Sequence, residues 1–367
     1  MKSRSIGWIG LAGSLFMLTV IGAWEGSRHV GAGDDAAREA EIGGPRSLRT
    51  LALRRGVQMG VAVSAVPLKQ DPQYARIVRE EFSAITPENA MKWDALRPAR
   101  DRFDFTDADA IVEFAQHNGM QVRGHTLMWH GQVPAWLQSG RFTAEELREI
   151  LREHILTVVG RYRGRVAAWD VVNEAVDGDE PSLLRRTLWR RGLGQDFMAQ
   201  AFQWAHEADP GARLFYNDAG GEGVGRQSEA VYHVVKELRE RGVPIHGVGL
   251  QMHVGMHDVP LPEEVAANIQ RLADLGLEVQ ITEMDVQIQK GTGEMEYDRA
   301  AQARIYQNMT TVCLRSPACT SIVVWGVADQ YSWIPWWTNH PDEPLLFDRA
   351  YARKPAYYGI RAALEAE

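Results

Sequence analysis

From residue 57 onward, short apolar runs alternate with longer stretches whose apolar positions recur every three or four residues. Read as strands, the runs fall at 57–63, 84–86, 121–129, 167–173, 213–217, 247–253, 278–285 and 321–327. The periodic stretches predict helices at 107–117, 143–159, 227–241, 262–275, 296–314 and 355–365. Their ends carry chemical punctuation. Thr143 and Glu146 make the Thr-x-x-Glu pattern of a capping box, which satisfies two backbone N–H groups at a helix start. Asn118-Gly119, Gly242 and Gly276 stand where helices stop, because glycine takes the left-handed backbone of a C-terminal cap without penalty.

Strands alternating with helices imply a parallel sheet. Eight such repeats fit an α/β fold closed into a (β/α)8 TIM barrel, with a single catalytic domain over 46–367. The competing arrangement is an open doubly wound sheet. Against it, no Gly-x-Gly-x-x-Gly turn follows the first strand.

The segment 1–24 has a different pattern. Lys2 and Arg4 give a positive start, and no charge follows from Ile6 to Trp24. It reads as a signal peptide or, uncleaved, as an N-terminal membrane anchor, since roughly 20 apolar residues span a bilayer. Either way the rest of the chain is expected outside the cytoplasm, secreted or periplasmic. The stretch 25–45 lacks apolar periodicity and reads as a flexible linker.

Composition narrows the function. Of 367 residues, 45% are hydrophobic and 24% charged, which excludes a disordered chain or a multi-span membrane protein. The net charge of −8, without a basic stripe, argues against nucleic acid as a partner. The two cysteines, Cys313 and Cys319, cannot build a cysteine-only metal cluster; export favours a disulfide between them over two thiols.

In a barrel the chemistry sits at the C-terminal ends of the strands. There the third strand presents His125, Trp129, His130 and Gln132, and the fourth Asn173 and Glu174. The fifth presents Tyr216, Asn217 and Asp218, the sixth Gln251 and His253, the seventh Glu283 and Asp285, and the eighth Trp325 with Trp333 beyond it. Strands four and seven face each other across a barrel mouth, so Glu174 and Glu283 are placed to flank one bond. Glycoside hydrolysis needs such a pair of carboxyls. Tryptophan faces suit sugar rings, and Asn, Gln and His suit their hydroxyls. His125 and His130, if both lay on one strand, would point to opposite faces, which disfavours a shared metal. Three readings stay open beside this one: another barrel glycosidase acting on mixed glucan or mannan, a non-catalytic carbohydrate-binding barrel, and a metal-dependent hydrolase.

The motifs resemble glycoside hydrolase family 10, the retaining endo-β-1,4-xylanases. They are TPENAMKWDALRP (86–98), RGHTLMWHGQVPAW (123–136), WDVVNEA (169–175), YND (216–218), GVGLQMH (247–253), ITEMDV (281–286), VVWGVAD (323–329), LLFD (345–348) and KPAY (354–357). The resemblance spans roughly 47–363 and implies endo-hydrolysis of xylan, with no cofactor or metal needed; the chain is expected to act as a monomer. It implies Glu174 as acid/base and Glu283 as nucleophile, supported by Asn173, His253 and Asp285. By the same resemblance Glu88, Asn89, Lys92, His125, Trp129, Gln132, Tyr216, Gln251, Trp325 and Trp333 bind substrate, and Cys313 and Cys319 sit where the family often has a disulfide. Two features depart from the family. Ala219 replaces the usual aromatic after YND, and the loop after Trp333 carries Trp336 and Trp337, which serve either as a platform or as packing within the loop.

Overall fold

The computed structural model describes residues 43–288, 291 and 293–366, so segment 1–24 and most of the expected linker lie outside the described residues. Among the described residues nine strands follow one another: β1 Gln58–Val63, β2 Ala84–Pro87, β3 Gln121–His125, β4 Ala168–Asn173, β5 Arg213–Asp218, β6 Gly247–Leu250, β7 His253–Gly255, β8 Glu278–Gln287 and β9 Cys319–Val324. Every pairing between them is parallel. The ring runs β1 to β6, then β8 and β9 back to β1, closed by the β6–β8 pair. It is a (β/α)8 barrel, with β7 as a short appendage on the end of β8.

β2 and β4 are buried at every position, as strands covered on both faces must be. The outer cover comes from helices Pro72–Glu81, Thr106–His117, Ala144–Arg161, Phe197–Ala208, Arg226–Glu240, Pro262–Asp274, Met295–Arg315 and Pro355–Glu365. Each lays its apolar face on the sheet; Arg226–Glu240, for instance, buries Ala230, Val231, Val234, Val235 and Leu238, spaced for one stripe. The capping box is formed, with Glu146 N–H donating to Thr143 Oγ1 (3.2 Å) and Thr143 N–H to Glu146 Oε2 (2.9 Å). Gly119, Gly242 and Gly276 all have positive φ at helix ends.

One end of the barrel is sealed. The helix Leu48–Arg54 carries buried Arg49, whose guanidinium donates to the carbonyls of Arg79, Phe82, Asn118 and Gly119, just ahead of β2 and β3. Inside the barrel, Arg123 on β3 pairs with Asp170 on β4 and reaches Gln280 on β8 (2.6 Å). Because β3 and β8 are not neighbours in the ring, that bond crosses the interior. The opposite, C-terminal end is left to carry chemistry.

Two strands are shorter than expected. The predicted run 121–129 ends as a strand at His125; beyond it the Thr126 hydroxyl and Leu127 N–H both donate to the Asp170 carbonyl within β4, and Asn173 N–H donates to the Met128 carbonyl. The run 247–253 divides after Leu250, because Met252 takes a positive φ of 65° and ends the pleat. Cys313 and Cys319 form a disulfide between the end of the Met295–Arg315 helix and the start of β9, with Cα atoms 5.1 Å apart. Among the described residues no helix is long and apolar enough to cross a membrane.

Candidate active site

Glu283 leaves β8 within a stretch where pairing to β9 shifts register, between Ile281 and Met284. Such an irregularity re-aims a side chain at the end of a strand. Its carboxylate is buried among donors. Asn217 Nδ2 donates to Oε1 (2.6 Å), His253 Nε2 lies 3.1 Å from Oε2, and His125 Nδ1 lies 3.8 Å from Oε1. Burial alone would raise its pKa. His125, His253 and the Lys92 ammonium outweigh that and bring it to about 2.

His253 stands between two carboxylates, with Nδ1 3.0 Å from Asp285 Oδ2 and Nε2 on Glu283. Burial would favour the neutral ring, but Asp285 and then Glu283 raise its pKa to about 10. The ring is therefore an imidazolium at neutral pH. Trp333 Nε1 donates to the same Asp285 oxygen (2.8 Å), and its ring stands edge-on to His253 at 5.1 Å. Trp325, also edge-on, completes this wall at 5.2 Å from His125 and 6.0 Å from His253.

Glu174 reaches the groove from the far side. It follows β4 with φ of 52°, a left-handed conformation that costs a non-glycine residue about 1 kcal/mol or more. Two bonds hold it there: its N–H donates to the Asn217 carbonyl (2.9 Å), and its carbonyl accepts from Arg185 Nε (3.1 Å). Its carboxyl accepts from Trp129 Nε1 (2.9 Å), Gln251 Nε2 (3.0 Å) and, more weakly, Asn173 Nδ2 (3.4 Å). Asn173 Oδ1 in turn accepts from Asn217 (2.8 Å) and Gln251 (3.2 Å). An unbroken chain of side-chain amides thus joins the surroundings of Glu174 to Glu283. A Cβ at Gly249 would collide with Asn217, so β6 must carry glycine there for this chain to form.

A polar cluster adjoins this pair. Lys92 donates to Asn89 Oδ1 (3.1 Å) and lies over the Trp129 ring, 5.0 Å from its centroid; Gln132 donates to the same Asn89 oxygen (3.2 Å). Burial lowers the Lys92 pKa against the pull of Glu283 and Glu88, and burial raises that of Glu88 against Lys92. Among the described residues no group of three His, Cys, Asp or Glu could hold a metal.

A family model for glycosyl hydrolase family 10 matches residues 47–363. The chain belongs to this family. It is 42% identical over 320 residues to endo-1,4-beta-xylanase B of Thermotoga neapolitana, covering 87% of this chain and 91% of that protein. To a beta-1,4-xylanase of Dictyoglomus thermophilum it is 41% identical over 312 residues, with 82% and 87% covered. Among solved structures, xylanase 10B from Thermotoga petrophila RKU-1 in complex with xylobiose superposes with a TM-score of 0.83 at 42% identity, covering 87% of this chain and 97% of that one.

In this family 10 barrel, most residues proposed from the sequence converge on one groove. Glu174, Glu283, Asn173, Gln251, His253, Asp285, His125, Trp129, Lys92, Asn89, Gln132, Trp325 and Trp333 are linked by the contacts above, and Glu88 is close enough for its charge to act on Lys92. Tyr216 is placed differently from expectation. It is fully buried, and its hydroxyl donates to Asp218 while accepting from the N–H groups of Ala175 (3.1 Å) and Val176 (2.9 Å). It braces the backbone behind Glu174 and offers no face to a sugar. Gln251 and His125 are likewise buried, with polar atoms turned toward the glutamates or Asp170.

Three contributors have no role assigned from the sequence, although Asn217 and His130 stand among the strand-end residues. Asn217 holds Glu283; its signal was the Tyr-Asn-Asp triplet at a strand end. Asp170 binds both Arg123 and His125 (3.0 Å), fixing the latter. His130 does not continue β3 but turns beside Trp129, bringing Nε2 to 4.0 Å from Glu174 Oε2. Burial lowers its pKa despite the pull of Glu174, which disfavours the charged ring beside that carboxyl.

Proposed function

We propose that this glycosyl hydrolase is an endo-1,4-β-xylanase that cleaves β-1,4-xylosidic bonds with retention of configuration. One observation carries the reading: Glu283 is held anionic by an imidazolium and an amide, while Glu174 faces the same amide network among neutral donors. In the first step a Glu283 oxygen bonds to the anomeric carbon as the bond to the leaving oxygen breaks, and Glu174 gives that oxygen its proton. In the second, Glu174 takes a proton from water, whose oxygen displaces Glu283 from the same carbon. The substrate class is supported by the relatives named as xylanases and by the xylobiose complex of a 42%-identical neighbour. Glu88, Asn89, Lys92, Gln132 and Trp129 would bind sugar on one side of the cut, with Trp325 and Trp333 around the reacting ring.

Proton NMR of the earliest products from β-1,4-xylan tests all of this. Short oligosaccharides appearing first as the β-anomer are expected. An α-anomer at first turnover would overturn retention, and no release from xylan would overturn the substrate.

Export is also proposed, on the charged-then-apolar 1–24 segment and on the disulfide, which suits an oxidising compartment. N-terminal sequencing of protein recovered from culture medium, periplasm and membrane would distinguish cleaved signal from retained anchor.

A further inference from the structure

The loop after β9 carries one helical turn, Ile334–Thr338, built around two tryptophans that are out in solvent. Trp336 is 82% exposed and Trp337 68%. Packing within the loop does not explain residues so bare, and a fully exposed indole forfeits a large apolar area to water. Nor is the turn loosely tethered. Ile334 is buried, its N–H donates to Ser332 Oγ (3.2 Å), Trp337 N–H donates to the Trp333 carbonyl (3.0 Å), and the Thr338 hydroxyl donates to the Ile334 carbonyl (2.9 Å). Asn339 closes it in the left-handed conformation.

Spacing then joins this turn to the active site. Trp333 and Trp337 are four residues apart and share a helix face, with ring centroids at 6.0 Å; Trp336 stands 6.5 Å from Trp337. Trp333 itself binds Asp285 and abuts His253. The three indoles form a succession of tilted ring contacts, from Trp333 at the wall beside Glu283 through Trp337 to Trp336, with exposure rising outward.

We propose that Trp336 and Trp337 form an outlying stacking platform for pyranose rings of the same polysaccharide chain that the glutamates cut. Continuity with Trp333 favours that occupant over an unrelated partner. The faces are flat and apolar, and the turn that carries them is fixed by its own hydrogen bonds, so little backbone ordering is lost when a sugar stacks. This inference rests on the xylanase reading and adds to it a preference for long chains.

The test compares kcat/KM on polymeric xylan with kcat/KM on xylotriose, for wild type, W336A/W337A and W336F/W337F. The ratio of long to short is expected to fall about tenfold in the alanine variant and to recover most of that with phenylalanine, which keeps an aromatic face. An unchanged ratio overturns the platform. A loss equal on both substrates, or a lowered melting midpoint accounting for it, assigns the pair to folding and overturns it as well. Gel filtration at several concentrations covers the remaining occupant: a dimer that dissociates in W336A/W337A, with the ratio unmoved, makes the platform an interface between two copies. Wild type inactive on every xylan would instead remove the reading beneath the proposal.

Discussion

Around Glu283 the partners are an imidazolium, a second histidine, a lysine ammonium and one amide; around Glu174 they are an indole, two amides and a histidine whose charged form burial disfavours. The first set is worth most to a charged carboxylate. The second donates hydrogen bonds to the carboxyl from uncharged groups, while the Arg185 guanidinium binds the Glu174 carbonyl and the Lys92 ammonium acts only through space. Two chemically identical side chains, carried by strands three steps apart in the ring, thus have different surroundings, which is what the proposed division of work requires. Backbone reinforces the contrast. Glu283 lies in a sheet whose register slips around it, whereas Glu174 stands in a left-handed conformation that its neighbours must hold.

The strongest way to break this comparison is to remove one carboxyl at a time. If Glu283 is the nucleophile as proposed, E283Q should lower kcat on all substrates by about 10⁴-fold or more. E174Q should cost about 10²- to 10⁴-fold on xylan, but far less on an aryl xylobioside whose leaving group needs no proton. Steady-state rates on the two substrates decide whether the two glutamates divide the work in this way. If E174Q were equally damaging on both, the assignment of its role would be wrong.

Next in size is the cationic side of the comparison. Glu283 must be ionised to react, and its pKa near 2 leaves it so across the usual pH range. H253Q removes a charge that opposes burial, so the acid limb of kcat/KM should move upward in pH, with an expected loss of about tenfold or more at pH 5. Stability follows its own sign. His253 binds its proton more tightly folded, at about 10, than unfolded, near 6.5. Its contribution is therefore complete below about 6.5 and is lost as pH rises toward 10. Melting midpoints across that window should fall more steeply in wild type than in H253Q.

A smaller effect sharpens the picture behind Glu174. Y216F keeps the ring but leaves two buried N–H groups without their acceptor, at about 1–3 kcal/mol for each group left unsatisfied. It also leaves Asp218, raised to about 7 chiefly by burial, without the hydroxyl that opposes the rise. Thermal unfolding should register the loss, and kcat should drop more than KM changes, because the affected backbone carries Glu174. The smallest expected change is C313S. Opening so short a loop should cost about 2 kcal/mol, leaving kcat within about twofold.

The elements that were legible in the chain are those announced by residue type. Alternating runs gave the strands, Thr143 with Glu146 a helix start, and the glycines at 119, 242 and 276 the helix ends. Glu174 and Glu283 were visible as acids at strand ends. The helix Phe197–Ala208 was harder to see, since Asp196 makes no side-chain cap and apolar residues crowd its first half. What could not be read was direction at the strand ends. Gln132, Glu174 and Met252 all have positive φ, yet none is a glycine that would signal it. The Met252 angle breaks the sixth strand after Leu250, and the Glu174 angle sets how its residue leaves β4. Tyr216 illustrates a different limit, since an aromatic beside an Asn-Asp pair looks the same whether its hydroxyl meets ligand or backbone.

The bridge of Asn173, Asn217 and Gln251 between the two acids is made wholly of carboxamides, groups that neither gain nor lose a proton at any pH an enzyme survives. It can fix how far apart the acids stand, but it is an insulator rather than a wire. On the proposed mechanism, a proton spent on the departing sugar could not be replenished from Glu283 through the protein and would have to be regained from the molecule of water that finishes each cycle.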